Sequence, residues 1–133
     1  MSANVDLVRS IYADWARGDF TAIGWADSEI EFVFAGGPAR GAWTGVSDMA
    51  ATMRDFVMAW RDFRVKAEEY RELDNERVLV FSNLGGSGKT SGLSLREMRS
   101  EGSELFQIRR GKVVRLVIYW DRDRALADLG LEK

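Results

Sequence analysis

Glu104 and Tyr12 are the side chains of this 133-residue sequence best placed to move a proton or to anchor a polar ligand. Glu104 opens the run ELFQIRR, where Phe106 and Ile108 follow at intervals of two, so an extended strand that turns these two inward turns Glu104 inward with them. A carboxyl in apolar surroundings holds its proton to higher pH and can act as acid, base or hydrogen-bond donor. A second geometry is open. Glu101-Gly102 can bulge the strand and turn Glu104 to solvent or toward Arg115. Asp121, directly after Trp120, reads as a helix N-cap rather than as a reacting group.

The chemistry available beyond these residues is narrow. The chain has no histidine and no cysteine, so His-based triads, thiolate nucleophiles, disulfides and His- or Cys-ligated metal sites are excluded. No cofactor is expected. Ser82 to Thr90 ends in Gly88-Lys89-Thr90 like a phosphate loop, but Asn83 stands where that pattern requires its first glycine, and the residues after it read as a strand rather than a helix. Arg17-Gly18-Asp19 is explained by the end of one helix followed by a cap.

Aromatic residues are the more informative set. Five Trp and seven Phe are generous for this length, and most rings at helical or strand spacing belong to the core. Trp and Tyr also carry a polar edge that needs a partner when buried, and a cavity walled by rings with a few polar groups is the usual form of a small-molecule site. The residues expected around such a pocket are Trp15, Phe32, Phe34, Trp43, Met53, Phe56, Trp60, Phe106, Ile118 and Trp120.

Length and charge set the frame for these residues. One domain spanning 1–133 is expected, and a chain of this size buries roughly 68% of its unfolded surface. The net charge of −2, from 19 basic and 21 acidic residues interspersed, offers no footprint for a nucleic-acid backbone. The N-terminus MSANVDLVRSIY lacks the pattern of a secretory signal, and no apolar run approaches the ~20 residues of a membrane span, so a cytoplasmic protein without membrane partners is expected.

The elements that must position the pocket follow from periodicity. Leu7, Val8, Ile11, Tyr12 and Trp15 repeat at helical spacing between Asn4, a candidate N-cap, and Gly18. Asp19 is placed to cap a short second helix to about Trp25. Glu29 to Phe34 reads as a strand, and the loop AGGPARGAWT has room for a short one around Trp43. Val46, Met49, Ala50, Met53, Phe56, Val57 and Trp60 define a third helix with Thr44 as cap. Strands follow: Phe63, Val65 and Ala67 in alternation, a turn at Asp74-Asn75, a central strand from Arg77 to Leu84, a loop from Gly85 to Gly92, then a strand from Leu93.

The last hairpin runs from Glu104 to Asp121 and turns at Arg109-Arg110-Gly111-Lys112. Its second arm is apolar on both sides, with Val114, Leu116, Ile118 and Trp120 on one and Val113, Val117 and Tyr119 on the other, which calls for a cover on each. A short helix through Ala125, Leu126 and Leu129, capped by Asp121 or Asp123, stops at Gly130. The class is α+β, with helices grouped on one side of an antiparallel sheet.

IYADWARGDF, GPARGAWTGV and FQIRRGKVVRLVIYWDRDRAL together resemble the SnoaL-like branch of the nuclear transport factor 2-like (NTF2-like) superfamily, over almost the whole chain. The resemblance implies a strongly curved antiparallel sheet wrapped around three helices of the N-terminal half into a cone, with an apolar pocket, a short C-terminal helix, and a homodimer through the outer sheet face. It includes polyketide cyclases, ketosteroid isomerases, epoxide hydrolases and non-catalytic binding proteins, so the fold leaves the activity open. Glu104 falls where the isomerases place a protonated Asp, and Trp120 matches a pocket tryptophan. The isomerases' general base corresponds to about Val33 or Phe34, and their first-helix Tyr to Ile11 or Tyr12. The Asp and His pair of the cyclases has no counterpart. The expectation is a protein that binds a hydrophobic small molecule, with isomerase- or cyclase-like proton transfer through Glu104 and Tyr12, or else a non-catalytic module that sequesters a ligand or serves as a dimeric interaction domain.

Overall fold

A computed structural model describes residues 3–35, 41–58, 60–88 and 100–131. Nine elements follow one another: α1 (Ala3–Ala16), β1 (Ala26–Ala35), β2 (Gly41–Thr44), α2 (Val46–Met58), β3 (Trp60–Glu72), β4 (Arg77–Gly88), β5 (Ser100–Arg109), β6 (Lys112–Tyr119) and α3 (Arg122–Asp128). The strands form one six-stranded sheet in the order β2-β1-β6-β5-β4-β3. Every pairing is antiparallel except β1 with β6, so the sheet is mixed rather than purely antiparallel as expected.

Two long β-strand runs and two helices follow the hydrophobic periodicity. α1 buries Val8, Ile11, Tyr12 and Trp15, the stripe at three and four residues, against β3 and β4. α2 buries Met49 and Met53 against β1. Asn4 lies inside α1 rather than capping it, and its side-chain amide donates to the Asn75 carbonyl at 2.8 Å. The N–H of Met49 bonds to the Gly45 carbonyl at 3.0 Å, so Gly45, at φ +100°, takes the cap position assigned to Thr44. Trp60 opens β3 instead of closing α2, and its side chain lies outside the described residues.

The expected helix from Asp19 to Trp25 does not form. The Asp19 carboxylate instead accepts from the Thr21 N–H at 3.0 Å and the Thr21 hydroxyl at 2.8 Å, a local turn that competes with the first turn of a helix. Among the described residues the N-terminal half therefore holds two helices, not three. β4 runs on through Gly85 to Gly88, which composition assigns to a loop, while the strand expected from Leu93 to Arg99 lies outside the described residues. The β5–β6 turn has Arg110 at φ 53° and Gly111 at φ 76°, the paired positive angles of a tight hairpin turn.

The core is split by the sheet. On the inner face Ile30, Phe32, Phe34, Val78, Val80, Phe106 and Leu116 pack against α1 and α2; on the outer face Leu79, Phe81, Leu105, Val117 and Tyr119 pack against Ala125 and Leu126 of α3. Helices thus lie on both faces. α3, capped as expected by the Asp121 carboxylate accepting from the Asp123 N–H at 2.9 Å, is the cover that the apolar outer side of β6 requires. Val113 packs with the inner cluster rather than with Val117 and Tyr119, because the register between Gln107 and Ile108 leaves Val114 as the extra residue of a β-bulge.

Candidate functional site

Glu104 sits in the middle of β5, between Val80 of β4 and Ile118 of β6, and its pairing runs unbroken from Arg77↔Gln107 to Leu84↔Ser100. No bulge occurs at Glu101-Gly102. The strand's alternation therefore carries Glu104 to the inner face with Phe106 and Ile108, and its exposure is 1%.

Both carboxylate oxygens are engaged. The Tyr12 hydroxyl donates to Oε1 from α1, and the Ser82 hydroxyl donates to Oε2 at 2.7 Å from β4. Ser82 lies diagonally across the ladder from Glu104, since the residue directly opposite it is Gly102. The ring of Tyr12 is held edge-on by Trp15, Tyr70 and Phe106, with centroids 4.9, 5.9 and 5.9 Å away. Behind the sheet, Arg122 Nη2 donates to the Ser82 carbonyl at 3.1 Å and to Glu68 Oε1 at 2.9 Å.

Burial raises the Glu104 pKa from 4.5 to about 7, against the opposing pull of the Tyr12 and Ser82 hydroxyls and of the Arg122 charge. The acid and its carboxylate are therefore comparably populated near neutral pH. Burial, then the Glu104 charge, push the Tyr12 phenol well above its ordinary range, so Tyr12 stays protonated as a donor. The trio can take up or release one proton inside the fold while keeping hydrogen bonds to the carboxyl.

Glu104 borders a cavity of about 40 Å³ whose remaining wall is apolar. α1 supplies Trp15, the following turn Phe20, β1 Phe34, α2 Met53, Phe56 and Val57, β3 Phe63 and Val65, β4 Leu84, and the end of the last hairpin Ile118 and Trp120. Of the residues expected here, Phe32 and Phe106 are fully buried in the surrounding core, and Trp43 packs on Phe32 and Phe34 at 6.2 and 6.0 Å without reaching the wall. Val33 faces the outer cluster and Phe34 lines the cavity, so neither brings a second acid; among the described residues Glu104 is the sole titratable group on the wall. Acidic residues among the described ones form no cluster able to hold a metal ion.

Beyond the expected residues, the site takes in Ser82, Arg122, Phe20, Val57, Phe63, Val65 and Leu84. Alternation in RVLVFSNL places Ser82 with Val78, Val80 and Leu84 on the inner face, so a polar residue in phase with a buried stripe was the available signal.

No protein-family model matches this sequence, and no curated protein matches it. Solved structures do resemble it. An NTF2-like protein from Burkholderia thailandensis superposes with a TM-score of 0.79 at 19% identity over 90% of this chain and 91% of that one. TerC, co-crystallised with polyporic acid, gives 0.74 at 18% identity over 96% and 98%. A protein from Jannaschia sp. described as a SnoaL-like polyketide cyclase gives 0.70 at 16% identity over 88% and 84%. At such identities the likeness speaks for architecture, and the architecture of this chain is the NTF2-like α+β fold, a curved sheet closed over two helices with a short third helix behind it.

Proposed function

We propose that this protein binds a hydrophobic small molecule in the inner cavity, polycyclic or polyketide-like compounds being the class in view, and that Glu104 with Tyr12 transfers a proton to or from it in the manner of an isomerase or cyclase. The observation that carries this reading is a carboxyl 1% exposed, bordering an otherwise apolar cavity, with its pKa raised to about 7. Perturbed carboxyls in apolar clefts are where acid/base chemistry concentrates. The co-crystal of TerC with polyporic acid supports a small-molecule role for the same architecture.

Glu104→Gln keeps the shape and removes the titration. The expected outcome is a lost pH dependence of turnover or of ligand affinity between about pH 5 and 8. Unchanged profiles for both would sink the catalytic role.

A second reading is a non-catalytic module that sequesters its ligand. The engagement of both Glu104 oxygens by Tyr12 and Ser82 favours it, because a fully satisfied carboxyl can be a structural knot. A homodimer through the outer sheet face is part of the same proposal and rests on family resemblance, because α3 covers the outer apolar cluster within one chain. A monomeric mass by sedimentation at micromolar concentration refutes the dimer.

A further inference from the structure

With Trp15 and Val65 in place, the inner cavity is too small for the ligand class proposed for it. At about 40 Å³ it has room for a few water molecules, whereas small-molecule sites span about 300–1,000 Å³. A second space lies beside it. Between α1 and β3, the edge strand among the described residues, runs an open groove of about 560 Å³, bordered by Arg9, Tyr12 and Ala13 on one side and by Arg64, Lys66 and Tyr70 on the other. Trp15 and Val65 line both spaces, so these two side chains form the partition. Tyr12 spans it as well, with its ring on the groove and its hydroxyl on Glu104 at the cavity.

The two spaces differ in charge. Among the described residues the cavity is lined by one charged group, the acid Glu104, and the groove by three cations and no carboxylate. Arg9 stacks over the Tyr70 ring at 4.4 Å, a pose that fixes the guanidinium plane and leaves its N–H edge for a planar anion. None of Arg9, Arg64 and Lys66 enters the ion pairs formed among the described residues. Glu68, whose field Lys66 feels, is held by Arg122.

We infer that the α1–β3 groove is the outer half of the ligand site and receives the anionic end of an amphipathic acid, whose apolar body enters the inner cavity when Trp15 or Val65 moves aside. The inference rests on the cavity being a ligand site, and it names the ligand class: an aromatic or polycyclic body bearing a carboxylate or similar anion. Charge fixes the orientation, because the anion is attracted by Arg9, Arg64 and Lys66 and repelled by ionised Glu104. A neutral hydrocarbon of the same size gains only the burial term.

The test uses a matched pair of fluorescent probes, 1-anilinonaphthalene-8-sulfonate and N-phenyl-1-naphthylamine, which share their rings and differ in the sulfonate. The intact chain is expected to bind the anionic probe about tenfold more tightly, the size of one charge-assisted hydrogen bond at a partly exposed site. Exposed Arg9, Arg64 and Lys66 can be replaced without disturbing the core, and the triple variant Arg9→Gln, Arg64→Gln, Lys66→Gln should erase that preference while leaving the neutral probe within about twofold. Val57→Trp, at a half-buried cavity position away from the groove, should weaken both probes. Equal affinities in the intact chain, or a preference that survives the triple variant, overturn the inference and leave the cavity reading standing. Binding of neither probe, or binding of both unaffected by Val57→Trp, overturns the two together.

Discussion

Glu104 on β5 and Glu68 on β3 stand two strands apart on one sheet, turn to opposite faces, and have opposite pKa shifts. Glu68 is the extra residue of a β-bulge between Ala67 and Glu69, turned to the outer face, and its pKa is lowered chiefly by the hydrogen bond from Arg122. Glu104 is turned inward in an unbroken ladder, and burial raises its pKa in spite of two hydroxyl donors. Hydrogen bonds alone do not set the sign. Solvent does: an exposed carboxylate keeps its hydration and gains a partner, whereas a buried one loses hydration that two neutral hydroxyls do not replace.

The sharpest way to break this contrast is Glu104→Gln. The native pKa of Glu104 lies above that of the unfolded chain, so between about pH 4.5 and 7 the native state binds more protons than the unfolded state. Its stabilising contribution is fully present below about pH 4.5, declines as pH rises, and is gone above about pH 7. The swing is up to about 3 kcal/mol, and it should vanish in the Gln variant, read as the pH dependence of the urea midpoint. A wild-type curve that is flat over this interval would show that Glu104 is not desolvated.

Arg122 links the two faces, and its removal should move both carboxyls. Arg122→Ala deletes bonds to Glu68 and to the Ser82 and Gly102 carbonyls and is expected to cost about 1–3 kcal/mol. The pKa of Glu104 should rise, because the Arg122 charge now lowers it. Carboxyl NMR titration reads the shift, and a fall would contradict the assigned coupling.

Tyr12→Phe acts on one side only. Losing one hydroxyl donor to the carboxylate raises the Glu104 pKa further and costs about 1 kcal/mol, while Glu68 titrates unchanged; denaturation and the same NMR titration check both. Smallest is Glu68→Gln, which should change stability by less than about 1 kcal/mol and lose even that in high salt. A larger loss would mean that the outer network is not solvated as its exposure indicates.

The Glu104 half of this contrast was legible in the sequence as one of two open geometries, for reasons local to particular residues. Phe106 and Ile108 share the phase of Glu104, and the pairing kept that phase intact. Where the phase is broken the sequence failed. The bulges at Val114 and Glu68 insert one residue into a strand, and nothing in VVRLV or KAEEY marks the extra member, because a bulge answers to the partner strand's register. The missing helix after Asp19 failed for another reason: an aspartate caps a helix or closes a local turn with the same carboxylate, and Thr21 two residues on decided for the turn.

The sequence by itself determined the α+β class, the amphipathic stripes of α1 and α2, the turn at Arg110-Gly111, the cap at Asp121, and the absence of histidine and cysteine chemistry. Each is fixed by residues within a few positions of one another. Only the tertiary structure decided that β1 lies parallel to β6, that α3 packs on the outer apolar cluster, and that Ser82 and Tyr12 meet on one carboxyl across 22 and 92 residues of sequence. Such meetings depend on strand order and register, and a carboxyl's pKa depends on what those bring around it.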